Sequence, residues 1–286
     1  MITKYNFFKT LLLLVIGGVV FSSCQKMSRP ILGDYPKDVA VTPTTALRFY
    51  APFDSTTADD KQLNIRFKDS VSGYPSFFPA ASLGYTTGVH GTAYQGAWDS
   101  YLSYLGPNDF ISTSESFTVA FWEKVNGAPQ GNAAFMFNVP SSNGNWANTT
   151  MFLLLDWSNP VNNDLAILKF YIVDKTGADG WLTWEGGNRV PGIQDNKWHH
   201  LAFVYDATTS KMTLYVDGVA NPNQPQWGSH GAANMDGSKV TGLNIGGRNT
   251  KDLGWGQDFG GGIDQFRMYN KALSAAEVQS LYNSKL

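Results

Sequence analysis

Residues 197–218 read KWHHLAFVYDATTSKMTLYVDG. Two runs inside this stretch, HHLAFVYD and KMTLYVDG, alternate apolar and polar positions with the two-residue period of a strand lying half-buried on a core. Asp217-Gly218 reads as a two-residue hairpin turn, because glycine reaches positive φ without steric cost. His199 and His200 are neighbours on a strand and face opposite sides. One metal ion could not easily hold both, so the pair reads as structural.

The same punctuation extends in both directions. LRFYAPF (47–53), FTVAFWEKV (117–125), AAFMFNV (133–139), MFLLLDW (151–157), LAILKFYIV (165–173) and LNIGG (243–247) are separated by Gly, Asn, Asp and Pro. Strand runs without intervening helical periods predict an all-β sandwich of two antiparallel sheets. No internal repeat or linker interrupts them, so one domain is expected over 44–286. With 43% apolar and 15% charged residues, the 286-residue chain can fold around a core. A net charge of −2 with no basic stripe argues against nucleic acid as a partner.

The first 23 residues read as a secretory signal. Lys4 and Lys9 precede LLLLVIGGVVF, and SSC follows. Eleven apolar residues are too few for a spanning helix, which needs roughly 20. Cys24 is the only cysteine, which excludes a disulfide within the chain. FSSC resembles a bacterial lipobox, which implies lipidation at Cys24; Phe21 departs from the usual leucine. An ordinary signal peptide cut nearby, leaving a free thiol, is the alternative. Residues 24–43 then form a tether from a lipid anchor, the expected membrane contact.

The C-terminal segment, GGGIDQFRMYNKALSAAEVQSLY (260–282), carries two further signals. Ser274 and Glu277 form a capping box, and Leu273 and Val278 a hydrophobic staple, ahead of a helix with the apolar face Val278, Leu281 and Tyr282. Before it, period two places Asp264 on the same strand face as Phe266 and Met268. A carboxylate on a core-facing row is costly unless a cation or several donors hold it. Arg267, Arg248 or backbone N–H groups could do so, as could a metal ion.

These pieces resemble, in order, the laminin-G-like branch of the concanavalin A-like lectin/glucanase superfamily. LRFYAPFDS is similar to its opening strand, GVHGTAYQGAWDSYLSYLG to its Gly-rich strand pair, ESFTVAFWEKV to its sFTisfWvk strand, KWHHLAFVYDATTSKMTLYVDG to its most recognisable segment, and LNIGGR and FGGGIDQFRMYNKALSAAEVQSLY to its closing strands and terminal helix. The resemblance implies a jelly-roll of two antiparallel sheets, one of them concave, with Trp122 and Trp198 structural. It also implies a structural calcium ion held by an Asp on the last strand, a carboxylate after the first strand, and backbone carbonyls. Asp264 and Asp54 stand at those two positions.

Glucanase members of the superfamily carry Glu-x-Asp-x-Glu or a close variant, which places two carboxylates beside the scissile bond. Only Glu115, Glu123, Glu185 and Glu277 are present here, and none has an acid two residues away. Glu123 reads as a strand-edge surface residue and Glu185 as a loop acid. No Gly-x-Ser-x-Gly or His-Glu-x-x-His occurs either, and His90 and His230 read as isolated loop residues. The expected function is therefore non-catalytic.

Sugars present flat C–H faces rimmed by hydroxyls, so a glycan site needs exposed rings beside amides, acids or guanidinium groups. Trp157, Trp184, Trp227 and Trp255 lie in such surroundings, with Asn188 and Arg248 as polar companions; Trp181 shares a segment with Trp184, and Trp98 and Trp146 are undecided. A polysaccharide or oligosaccharide is the expected ligand, with a protein partner as the alternative. The expected location is the bacterial cell envelope, at the outer membrane through the lipid anchor.

Overall fold

The computed structural model describes residues 44–54, 67–77, 84–248 and 253–285. The expected signal peptide (1–23), Cys24 and the tether (24–43) lie outside the described residues. Sixteen strands, numbered in chain order, form two eight-stranded sheets among them. The first sheet runs β13 (Val219–Ala220), β12 (Lys211–Val216), β11 (His199–Asp206), β5 (Phe117–Lys124), β16 (Gly262–Tyr269), β3 (Thr92–Gln95) and β2 (Tyr85–Thr87). In this sheet β1 (Leu47–Ala51) also pairs with β16. The second sheet runs β10 (Val190–Pro191), β8 (Leu165–Val173), β7 (Thr149–Asp156), β6 (Ala133–Pro140), β14 (Leu243–Ile245) and β4 (Leu102–Tyr104), with β9 (Asp179–Trp184) on β8 and β15 (Gly256–Asp258) on β6. The β15–β6 pair is parallel and the other ladders are antiparallel.

Aromatic rings from both inner faces interlock to make the core. Phe117 of β5 stacks on Phe170 of β8 at 5.9 Å, Phe203 of β11 meets Phe170 at 5.6 Å, and Phe137 of β6 meets Phe266 of β16 at 5.4 Å. The result is the expected jelly-roll sandwich. Asp217-Gly218 is its hairpin turn, with φ of 51° and 80°, the doubly positive turn whose twist matches flanking strands.

The two outer faces are treated differently. On the first sheet the terminal helix, Ala275–Ser284 (α1), lies over Ala120, Ala202 and Val204, burying Leu273 and Val278. Both halves of its capping box form: Ser274 Oγ accepts from Glu277 N at 3.3 Å and Glu277 Oε2 from Ser274 N at 2.8 Å. Tyr282 stacks on Trp122 at 5.5 Å, and Trp122 meets the edge of His200. On the second sheet the outer face carries its own apolar cluster of Ala133, Phe135, Phe152, Leu154, Tyr171 and Val173.

A β-bulge corrects the expected placement of Asp264. Asp264 pairs with Trp122 and Arg267 with Ala120, so Gln265 and Phe266 together oppose Phe121. Gln265 takes a positive φ of 50°, and the bulge restarts the alternation. Ile263, Phe266 and Met268 therefore join the core, while Asp264 shares its side with Trp122 and turns away from it. At this point β16 also changes neighbour, from β3 alongside Gly262 and Ile263 to β1 alongside Phe266 and Arg267.

Candidate functional site

The outer face of the second sheet is built by alternation. Along β7, Met151, Leu153 and Leu155 enter the core, leaving Phe152 outside; along β8, Leu168, Phe170 and Ile172 enter it, leaving Tyr171 outside. Phe152 and Tyr171 are opposite one another in the ladder and stack at 4.7 Å with 13° between ring planes. Burial pushes the Tyr171 phenol up to about 12, and the nearby Asp179 carboxylate adds to the shift. The ring stays neutral and serves as floor.

Three tryptophans stand on this floor. Trp181 of β9 faces Tyr171 across the ladder and touches it at 5.1 Å and Phe152 at 5.4 Å. Trp146, in the turn before β7, meets Trp181 at 5.4 Å and 89°, and Trp255 at 5.4 Å and 72°. Trp255 leans on Phe135 at 5.4 Å. Trp146 is 50% and Trp181 37% exposed, which is high for rings already held by other rings. They form a right-angled ledge open to a ligand.

Only some of the tryptophans expected at a site belong there. Trp255 joins the ledge. Trp157 and Asn188 are exposed in loops flanking the sheet, and no ring contact ties Trp157 to the ledge among the described residues. Trp184 is in the core instead: it follows Leu182 on the inward row of β9, is fully buried, and donates from Nε1 to the Asn223 carbonyl at 3.1 Å. Trp227 is also structural. Its Nε1 donates to the Asp179 carbonyl at 2.9 Å, and His230 stacks on it at 3.5 Å. A side chain at Gly180 would meet the Trp227 ring at 2.8 Å, so glycine makes that packing possible. Arg248 is 5% exposed and commits its donors internally, to Asp258 (3.3 Å), the Gly256 carbonyl (3.0 Å) and Asp99 (3.2 Å), with its guanidinium 5.0 Å from the Trp98 ring centre.

Sequence reasoning named Trp181 without choosing it and left Trp146 undecided. A signal for Trp181 was present. In DGWLTW, whichever tryptophan shares parity with Leu182 enters the core, and the other faces out. Trp146 lies in an irregular turn, where no period applies.

The acids also move from their expected places. Glu123 is not at the surface. It is fully buried at the end of β5, and neither carboxyl oxygen has a partner among the described residues. Burial, reinforced by the charges of Asp217 and Asp195, drives its pKa well above the usual carboxylate range. Glu185 and Asp156 both hold Lys169, at 3.3 and 2.9 Å, on the outer face of the second sheet. Partial burial works against the Lys169 charge, but the hydrogen bond to Asp156 and the two carboxylates raise its pKa. An ammonium thus occupies the space between these acids. The two loop histidines have partners: His90 lies 3.2 Å from Asp54, and His230 lies 3.3 Å from Asp174.

Asp264 is fully buried beneath the Gly88–Gly91 loop, where its Oδ2 accepts from Val89 N at 2.8 Å. Its Oδ1 and that of Asp54 are buried without partners. Arg267 is engaged by Gln265 and the Tyr50 hydroxyl. The place of a Cβ on Gly88 lies 2.5 Å from Asp264 Oδ2 and 2.9 Å from the carbonyl oxygens of both His90 and Thr92, while a Cβ on Gly91 would collide with Asp54 Oδ1. Two carboxylates and main-chain carbonyls therefore converge on a loop that tolerates no side chain there. No group of three His, Cys, Asp or Glu side chains suited to a metal occurs among the described residues. A cation here would depend on oxygen donors, the set a hard ion such as calcium accepts.

Comparison with known proteins agrees with this architecture. Neuronal pentraxin-1 of Rattus norvegicus is 27% identical over 170 residues, covering 58% of this chain and 33% of the pentraxin, so the chain spans about a third of that relative. Domain 4 of AbnA, a GH43 extracellular arabinanase from Geobacillus stearothermophilus solved with arabinotriose, superposes with a TM-score of 0.55 at 19% identity, covering 82% of this chain and 98% of the domain. Botulinum neurotoxin type C, whose cell entry depends upon interaction with two ganglioside molecules, superposes at 0.57 with 12% identity, covering 84% of this chain and 52% of the toxin chain. The laminin-G-like family of the concanavalin A-like lectin/glucanases superfamily matches residues 96–279, more than half of the sequence, and the chain belongs to it.

Proposed function

We propose that this chain is a non-catalytic carbohydrate-binding module of a cell-envelope lipoprotein, held at the outer membrane by lipidated Cys24. The observation that carries the reading is the exposure of Trp146 and Trp181 above a buried ring floor, on a sheet face that no helix covers among the described residues. Rings fixed in this way lose little entropy on stacking against a sugar. Covering about 60 Å² of apolar sugar surface would contribute about 1.5 kcal/mol, roughly tenfold in Kd. Calcium at Asp54 and Asp264 would brace the loop beside β16, with the orphaned Oδ1 atoms and the His90 and Thr92 carbonyls as its protein donors.

Glycan-array binding followed by titration calorimetry tests the reading. The intact domain is expected to bind a defined glycan set, with Trp146→Ala and Trp181→Ala each weakening affinity about tenfold while leaving the fold unchanged. Absence of binding across a broad array, alongside capture of one defined protein partner, would replace this reading with an adhesive one. New reducing ends released from an array hit, and lost in Asp156→Asn, would replace it with an enzymatic one.

A further inference from the structure

Beyond Trp146 the aromatic face opens into a cavity of about 400 Å³ lined by the turn after β8, the segment before Trp146, and the Gly237–Lys239 turn. Val173 belongs both to this lining and to the apolar cluster under the ledge, and Asn145 links the lining directly to Trp146. The cavity and the ledge therefore form one continuous surface.

The polar groups lining the cavity are unequally committed. Asp174 accepts from Thr176 N (2.7 Å), Thr176 Oγ1 (2.8 Å) and Ala178 N (2.9 Å), and contacts His230. Asp236 accepts from Ser238 N (3.0 Å) and Ser238 Oγ (2.6 Å). Asp174 thus uses both oxygens in and beside its own turn, and Asp236 closes its turn through Oδ1. The side-chain donors make no direct hydrogen bond or ion pair among the described residues, although the charges of Lys175 and Lys239 both act on the Asp236 carboxylate. Lys175 and Lys239 are exposed and make no ion pair among the described residues, where the lysine pairs belong to Lys169, Lys197 and Lys271. The Asn145 amide makes no cap bond to the turn it precedes. Thr150, 1% exposed on the outward row of β7, has a buried hydroxyl with no partner among the described residues, and a buried polar group in that state is destabilising unless something answers it.

A cavity whose carboxylates serve their own turns, and whose two lysines and buried Thr150 hydroxyl have no direct partner among the described residues, favours an acceptor-rich ligand. We propose that it receives the anionic group of an acidic sugar unit, a uronate carboxylate or a sulfate ester, in a glycan whose adjoining ring lies on Trp146. Lys175 and Lys239 supply the charge, and Thr150 and Asn145 the fixed hydrogen bonds. The proposal rests on the glycan reading above and adds the class of glycan.

The test is calorimetry with matched oligosaccharides: an oligogalacturonate against its methyl ester, and a sulfated oligosaccharide against its unsulfated parent. At least one acidic form is expected to bind about tenfold tighter than its neutral match, with affinity falling as salt rises. The preferred acidic form identifies carboxylate or sulfate. In Lys175→Gln/Lys239→Gln the preference should disappear while neutral binding is retained. Thr150→Val should weaken the acidic ligand alone. Equal binding of acidic and neutral forms, still weakened about tenfold by Trp181→Ala, would overturn the acidic pocket and leave the glycan reading standing. A preference unchanged in the double lysine variant would also overturn it. Failure of every oligosaccharide to bind would overturn both.

Discussion

The adjacent histidines provide the sharpest test of the fold's electrostatics, because their shifts oppose one another. His200 is fully buried against Trp122 and Tyr282, and neither ring nitrogen has a partner. Burial, helped by the Arg267 charge and partly opposed by Asp217, lowers its pKa from 6.5 to about 4. The folded state therefore resists protonation that the unfolded chain accepts. Stability from this group is complete above the unfolded value of 6.5 and is lost as pH falls towards 4. The lowering from 6.5 to about 4 amounts to about 3 kcal/mol. His199 acts in the opposite sense. Hydrogen bonds to Asp217 at 2.9 Å and Asp195 at 3.0 Å raise its pKa against partial desolvation, so its contribution is present below 6.5 and disappears as pH rises through its folded value. The two partly cancel in the native profile, and only a difference isolates His200. Urea unfolding of wild type and His200→Phe from pH 7 to pH 4 should show the variant gaining about 3 kcal/mol relative to wild type, a shift of about 1 M in midpoint. Parallel profiles would refute the claim that a neutral imidazole is locked beneath the terminal helix.

Other expectations follow from the same contacts. Glu123→Met removes an unpartnered buried carboxyl and should stabilise the domain by about 1–3 kcal/mol. Its raised pKa means that the gain should grow as pH rises above 4.5, as read by thermal melts at several pH values. Calcium should raise the melting temperature of the intact domain, and Asp264→Asn should abolish that increase without preventing folding; an equal rise in the variant would place the ion elsewhere. Ser274→Ala breaks a complete capping box and should cost about 1 kcal/mol in urea unfolding. Trp184→Ala should cost about 3–5 kcal/mol, whereas Trp181→Ala should cost much less stability and instead lose ligand affinity.

What the sequence disclosed depended on how far apart the interacting residues lie. The terminal helix was legible in full because its cap joins Ser274 to Glu277 within one turn. The Asp217-Gly218 hairpin and the strand runs were legible for the same local reason. Arg248 was not: its partners Gly256 and Asp258 stand eight and ten residues on, beyond any regular period, and Asp99 lies 149 residues away. Trp227 sits among polar loop residues, yet the space left by Gly180 draws it inward. The bulge at Gln265 was invisible because its positive φ is borne by glutamine, where a glycine would have signalled it. One unannounced residue was enough to move Asp264 from the core row to the opposite side of the sheet.

The ledge has an optical consequence. Indole rings whose centres are only 5.4 Å apart, as in Trp146–Trp181 and Trp146–Trp255, couple through their intense far-ultraviolet transition and should produce a circular-dichroism couplet there. A sugar settling across two of these rings would perturb that couplet, so occupancy could be followed by spectroscopy without any attached label.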